Sequence, residues 1–385
     1  MGRIRDVTVL LRPGDVPPRA DGQCVKGVLN PAVAQVDDCT RLLARVIEGH
    51  ELNKPYEDHV REGAPAPEYV YLPRAHNHGV HWEKKKLGAE VIANDAFSVT
   101  LPGLVAVVRP TVISHARIID LVRDEPCGEP RVKEVSSKGL FPATPYEEFG
   151  IEDPRVTPLA SPFESDGKQY QYLVSYVACS DTWGVATAFA LSNDLQTFDR
   201  FPPRDPTVVF HPPLKDVVLF PQKLDGPGCV GKHYWAIIRP GAAHSYISPS
   251  MFLLASRDLQ HWGHPYPFIP GTTEGHVGAG VPPIRTDHGW LIIYHGRRVR
   301  DGTPHYEGWA ALVDYEKPWS SIRRCREPIL VPFDTGDENV IPDVAFPTGA
   351  LLLDDGTLEI YLGVNDSVVA VARTPLKNLF CGLSD

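Results

Sequence analysis

The segments Ser192-Asn193-Asp194-Leu195-Gln196-Thr197-Phe198 and Ser256-Arg257-Asp258-Leu259-Gln260-His261-Trp262 follow one pattern at an offset of 64 residues. An internal period of that length restricts what this 385-residue chain can fold into more than any other feature. Each copy belongs to a larger unit, in which an apolar segment carrying a proline or turn residue is followed by an aromatic-rich one. Ile151–Arg155 precedes Tyr172–Tyr176, Val218–Lys223 precedes Tyr234–Arg239, Gly280–Ile284 precedes Trp290–His295, and Ala345–Gly349 precedes Leu358–Leu362. A less regular copy opens the series, with Gly27–Val33 ahead of Arg41–Val46. The runs are short and β-type, without a helical 3.6-residue period, so about four strands per unit are expected.

Five such units predict an all-β fold, a five-bladed β-propeller that occupies residues 1–385 as a single domain, with an irregular insertion around residues 50–140. One blade cannot bury both of its faces, whereas blades stacked radially bury each face against a neighbour. The first strands of the blades then converge on an axis and bring Asn30, Asp153, Lys223, Gly280 and Asp343 to one end. Several independent β-domains are the alternative, weakened because no Gly/Ser-rich linker separates the units.

Composition narrows the partners. The formal net charge of −10 repels nucleic acid and anionic membranes, and leaves neutral ligands open. No apolar run approaches the roughly 20 residues that cross a bilayer. The stretch Val7–Leu11 is shorter than the apolar core of a signal peptide, so a soluble, cytoplasmic protein is expected. The 38 prolines and 32 glycines fit a chain with many turns. Cys24, Cys39, Cys127, Cys179, Cys229, Cys325 and Cys381 are odd in number and scattered, which points to buried free thiols. No His/Asp spacing has the form of a metal site, and no cofactor is expected.

Among residues that can carry chemistry, Glu152-Asp153 stands out, because it lies between the apolar Ile151 and Pro154 at the start of a strand. Arg155, two residues on, faces the same side and can orient it. A structural salt bridge or turn is the plainer reading of such an aspartate. Tyr294-His295 at the end of an apolar strand, and Lys215-Asp216 and Lys223 around another, occupy comparable places in other units. Singly these are a hydrogen-bonded imidazole and a solvated rim; aligned in successive blades they favour a binding site.

The segments GIEDPRVTPL (150–159), KDVVLFPQKL (215–224), GAGVPPIRTDHGWLIIYHG (278–296) and AFPTGALLLDDGTLEIYLG (345–363) resemble, in order and spacing, those of glycoside hydrolase family 130. The resemblance runs from about residue 24 to 375 and is least clear over 50–140. It implies a five-bladed fold and activity on β-mannosides, many of them β-1,2-linked. It implies that Asp153 is the proton donor, acting through a sugar hydroxyl, and that Asn30, Arg45, Asp216 and Asp343 help bind the mannosyl unit.

The family contains both inverting β-mannosidases and β-mannoside phosphorylases. Phosphate as attacking group needs cations and no protein base, whereas water needs a carboxylate base. Ala186 stands where the phosphorylases carry arginine, and Glu307 where they are usually basic; both remove positive charge. Lys223, Tyr294 and His295 are retained and can contact phosphate. The balance favours an inverting hydrolase, with Glu307 as base and Glu274 as reserve. A phosphorylase using inorganic phosphate as co-substrate is the alternative, and a non-catalytic carbohydrate-binding propeller is the rival from another class. An arabinan or fructan enzyme is disfavoured by the resemblance alone. A manno-oligosaccharide is the expected partner; linkage, aglycone and oligomeric state are left open.

Overall fold

The computed structural model describes residues 3–53, 68–76, 79–88, 90–93, 97–103, 106–212, 214–240, 250–272, 274–337, 340–380 and 383–384. They are all-β apart from short 3-10 turns and one five-residue helix, α1 (Leu376–Phe380).

After β1 (Asp6–Leu11), the chain forms a first unit from the hairpin β2 (Gln23–Val36) and β3 (Cys39–His50). It then makes an excursion as a hairpin, β4 (Tyr69–His76) and β5 (Gly79–Lys86), and a small sheet of β6 (Ile92–Ala93), β7 (Ser98–Leu101) and β8 (Val107–Pro110). It returns as β9 (Val112–Val122) beside β3, and β10 (Arg131–Leu140) completes the unit. The later part of the stretch 50–140 is thus regular sheet.

The second unit is β11 (Gly150–Ser165), β12 (Lys168–Ser180), β13 (Gly184–Ser192) and β14 (Asp199–Phe201). A single parallel pair, Gly150 with Ser114, joins it to the first. The third is β15 (Leu214–Leu219), β16 (Tyr234–Pro240), β17 (Phe252–Ser256) and β18 (Gly263–Pro267). In the fourth, β19 (His276–Ala279) and β20 (Ile284–Thr286) both pair with β21 (Gly289–Arg300), followed by β22 (Thr303–Val313) and β23 (Ile322–Cys325). The fifth is β24 (Ala345–Leu352), β25 (Thr357–Val364) and β26 (Val368–Pro375), completed by β1. A last short strand, β27 (Leu383–Ser384), pairs with β23.

Successive residues of a strand point to opposite faces, and here both faces are buried. Leu358, Ile360 and Leu362 of β25 join an apolar cluster with the third and fourth units, while Tyr361 joins another with Val28, Leu42 and Ala44 of the first. Ala32, Leu43, Val174 and Ala188 pack the first unit against the second, and Leu173, Phe189, Leu219 and Ala236 the second against the third. A buried carboxylate ties the first and fifth units: Glu359 receives Arg123 on both oxygens (2.8 and 2.7 Å) and Arg373 at 3.1 Å.

The related segments that reveal the period build the same turn. Ser192 Oγ accepts from Leu195 N–H at 2.8 Å and Ser256 Oγ from Leu259 N–H at 2.9 Å. Asp194 and Asp258 each accept from two backbone N–H groups further on. The six described cysteines are free, but only Cys325 is buried; the others are half-buried, and Cys381 lies outside the described residues. Among the described residues, no helix is long and apolar enough to cross a membrane.

Candidate active site

The first strands of three units carry a register shift at one end, between Leu29 and Ala32, between Glu152 and Arg155, and between Lys215 and Val218. Inside each shift sits Asn30, Asp153 or Asp216, with φ of 45°, 46° and 55°. A bulge with its extra residue in the left-handed region bends the strand and re-aims that side chain. Asn and Asp tolerate this region better than other residues with a Cβ, which accounts for their presence at the three positions.

The re-aimed groups meet although they are far apart in sequence. Asn30 Nδ2 and Arg45 Nη1 donate to Asp153 Oδ1 at 2.8 and 3.0 Å, and Arg45 Nη2 donates to Glu152 at 2.7 Å. Arg155 is wholly buried and acts as a strap: Nη1 donates to the Asp153 carbonyl (2.9 Å), Nη2 to Asp216 Oδ1 (3.3 Å) and Nε to the Gly280 carbonyl (3.4 Å). Thr348 of the fifth unit donates to the Pro31 carbonyl of the first at 3.0 Å. A Cβ on Gly280 would lie 2.6 Å from the Pro347 carbonyl.

Burial by itself would raise the Asp153 pKa, but Arg45, Arg155, Asn30 and Lys215 outweigh it and hold the carboxyl below its ordinary value. Asp366, which follows β25, is in the opposite situation. Burial lifts it to about 7, against Arg45 and with the help of Asp153 and Glu152.

Beyond Arg155 the site turns basic. Asp216 is buried and accepts from Arg239 Nε at 2.6 Å, with His295 Nε2 facing it at 3.6 Å. Arg239 Nη1 donates to His276 Nε2 at 3.2 Å. Lys215 and Arg297 add positive charge around Tyr306, whose ring lies 5.9 Å from that of His295. Burial depresses His295 to about 3 despite Asp216, so its imidazole is neutral. Its Nδ1 is buried without a partner among the described residues.

Several expected site residues lie elsewhere. Lys223 is exposed beyond the far end of β15, over the ring of Tyr234; Lys215 holds the place expected for it. Tyr294 and His295 are neighbours on β21 and so face opposite ways. The Tyr294 hydroxyl donates to Glu274 at 2.9 Å, away from His295. Glu274 is further bound by Thr272 at 2.8 Å and by Arg324. Glu307 follows Tyr306 on β22, so it too points to the opposite face, where Arg298 and His305 hold it. Neither expected base faces the site that Asp153 shares with His295. Ala186 is packed in the apolar core between the first and second units. Asp343 is at the correct end with φ of 60°, and its carbonyl accepts from Tyr306 N–H at 2.9 Å, but its side chain is exposed.

Arg239, His276 and Asp366 are site residues not expected from the sequence. Arg239 ends a second strand and Asp366 follows one, at the end where Arg45 and His295 also sit; comparing second-strand ends would have found both. Among the described residues, no group of three or more His, Cys, Asp or Glu could hold a metal ion.

Proteins of known type are similar to this chain in sequence and fold. A family model described as beta-1,4-mannooligosaccharide phosphorylase matches residues 122–382. A beta-1,2-mannobiose phosphorylase of Listeria innocua is 34% identical over 60% of this chain and 59% of its own length. A 1,2-beta-oligomannan phosphorylase of Thermoanaerobacter sp. is 32% identical over 61% and 72%. The chain therefore aligns with less than two thirds of the Listeria sequence. The solved structure of a Listeria innocua beta-1,2-mannobiose phosphorylase, in complex with beta-1,2-mannobiose, superposes with a TM-score of 0.75 at 28% identity, covering 97% of this chain and 96% of that one. With the family's segments folded around one shared cluster and its model matched over more than half of the sequence, the chain belongs to glycoside hydrolase family 130.

Proposed function

We propose that this protein is a β-mannoside phosphorylase acting on β-1,2-linked manno-oligosaccharides, built as a single five-bladed β-propeller with the excursion at residues 51–111 inserted in its first blade. The propeller reading is supported by the units packing in succession, by Thr348 reaching Pro31, and by β1 completing the fifth unit. The observation that carries the function is the distribution of charge. Lys215, Arg239 and Arg297 gather beside Asp216 and Tyr306, while Glu307 and Glu274 are occupied on the other face of the sheet. Such a site offers cations to a phosphate, while the two carboxylates expected as base for a water are turned away from it. This reverses the hydrolase preferred from sequence, and the two curated relatives described above are phosphorylases.

In this reading, Arg45 and Asp366 hold the mannosyl unit, Asn30 orients Asp153, and Asp153 is the proton donor. A phosphate oxygen attacks the anomeric carbon as the glycosidic C–O bond breaks. The Asp153 proton passes, through a sugar hydroxyl, to the departing oxygen, and the product is α-mannose 1-phosphate. The depressed Asp153 pKa fits if phosphate binds first, because its negative charge offsets the nearby cations and raises the carboxyl toward protonation. Supplying α-mannose 1-phosphate and mannose tests this in reverse: disaccharide and free phosphate are expected together, and their absence, with mannose released from β-1,2-mannobiose in phosphate-free buffer, contradicts it.

A further inference from the structure

We infer that Asp216 is a positioning residue that builds the phosphate-binding wall and takes no sugar hydroxyl itself, an inference that rests on the phosphorylase reading above. Both carboxylate oxygens are engaged. Oδ1 accepts from Arg155 Nη2 at 3.3 Å, and Oδ2 accepts from Arg239 Nε at 2.6 Å and faces His295 Nε2 at 3.6 Å. The residue is 1% exposed, so no face of it is open to a ligand. The mannosyl-binding role that the family resemblance implied for it therefore has no free acceptor behind it.

What Asp216 does is hold other groups in place. Arg239 has Nε fixed by Asp216 and Nη1 fixed on His276, which leaves Nη2 without a partner among the described residues. His295 faces the same carboxylate through Nε2, and its Nδ1 is buried without a partner among the described residues. Arg239 Nη2 is thus aimed by a carboxylate that also separates the like charges of Arg155 and Arg239. The protein keeps space for this hub: a Cβ on Gly278 would lie 2.7 Å from Asp216 Oδ2 and 2.6 Å from His295 Nε2. The left-handed bulge aims Asp216 inward, and the absent side chain at position 278 lets β19 close over it.

The test compares wild type, Asp216→Asn and Gly278→Ala in phosphorolysis of β-1,2-mannobiose, with KM for phosphate and for disaccharide measured separately. Inorganic phosphate is also titrated against the melting temperature of each protein. In both variants KM for phosphate is expected to rise about tenfold or more, with the disaccharide KM within about twofold of wild type and the phosphate-induced rise in melting temperature reduced. Gly278→Ala disturbs the hub without removing its charge, so it carries the test if Asp216→Asn does not fold. A raised disaccharide KM with phosphate KM unchanged makes Asp216 a sugar ligand and overturns the inference. Wild type that neither turns over with phosphate nor is stabilised by it overturns the phosphorylase reading instead.

Discussion

Asn30 Nδ2 donates to Asp153 Oδ1 at 2.8 Å, joining residues 123 apart in sequence that sit in matching left-handed bulges of adjacent units. This bond and that of Arg45 occupy one carboxylate oxygen and leave Oδ2 without a hydrogen bond among the described residues. Asp153→Asn keeps the shape of the site and removes the acidic group. Turnover is expected to fall by about 10²–10⁴-fold, with a lower melting temperature because Arg45 loses a buried partner charge. Turnover near wild type would remove the donor assignment.

Glu307 and Glu274 supply the contrasting case. A general base contributes about 10²–10⁴-fold, so replacing one with glutamine would abolish activity if either activated a water. Their partners are Arg298, His305, Arg324 and Tyr294 on the far face of the sheet. Glu307→Gln and Glu274→Gln are expected to lower unfolding midpoints while phosphate-dependent turnover stays within about threefold of wild type. A loss of more than about a hundredfold in either folded variant would restore it as a base.

Glu359 is a structural carboxylate, fully buried between Arg123 of the first unit and Arg373 of the fifth. Removing one partner of a buried charge network costs about 3–5 kcal/mol, because the remaining charges are left uncompensated. Glu359→Ala is expected to lose that much in denaturant unfolding. A change under about 1 kcal/mol would show that water compensates both arginines.

Asp366 gives the folded protein a dependence on pH. An unfolded aspartate ionises near pH 4, whereas the folded one holds its proton to about 7. Between those values only the folded state retains the proton, so this group's contribution to stability falls as pH rises and is constant above the window. Asp366→Asn lacks the penalty. Its melting temperature relative to wild type is expected to climb from pH 5 to 7 and then level off, and a difference that does not vary with pH would place the folded pKa near its ordinary value.

The period was legible in the sequence because Ser192, Asp194, Ser256 and Asp258 spend their side chains on their own turns, and local hydrogen bonding needs particular residues at fixed spacing. Asn30, Asp153 and Asp216 were reached through their blade positions and the family resemblance, and the structure adds that few residues tolerate their backbone conformation. Which side a strand residue faces was not legible, because a shift of one position reverses it. That parity separates His295 from Tyr294 and Tyr306 from Glu307, and on it turned the preference between water and phosphate. Lys223 was misplaced for a different reason: it lies beyond the far end of β15, where Lys215 marks the site end. Arg239 and Asp366 come from second strands, outside the first-strand positions from which the axis was inferred.

The most direct measurement follows inorganic phosphate by ³¹P NMR as the protein acts on β-1,2-mannobiose, with a parallel sample free of phosphate. The phosphate signal is expected to be replaced by that of α-mannose 1-phosphate, one equivalent for each mannose released, with no cleavage in the parallel sample. Mannose released equally in both samples, with the phosphate signal unchanged, would contradict it.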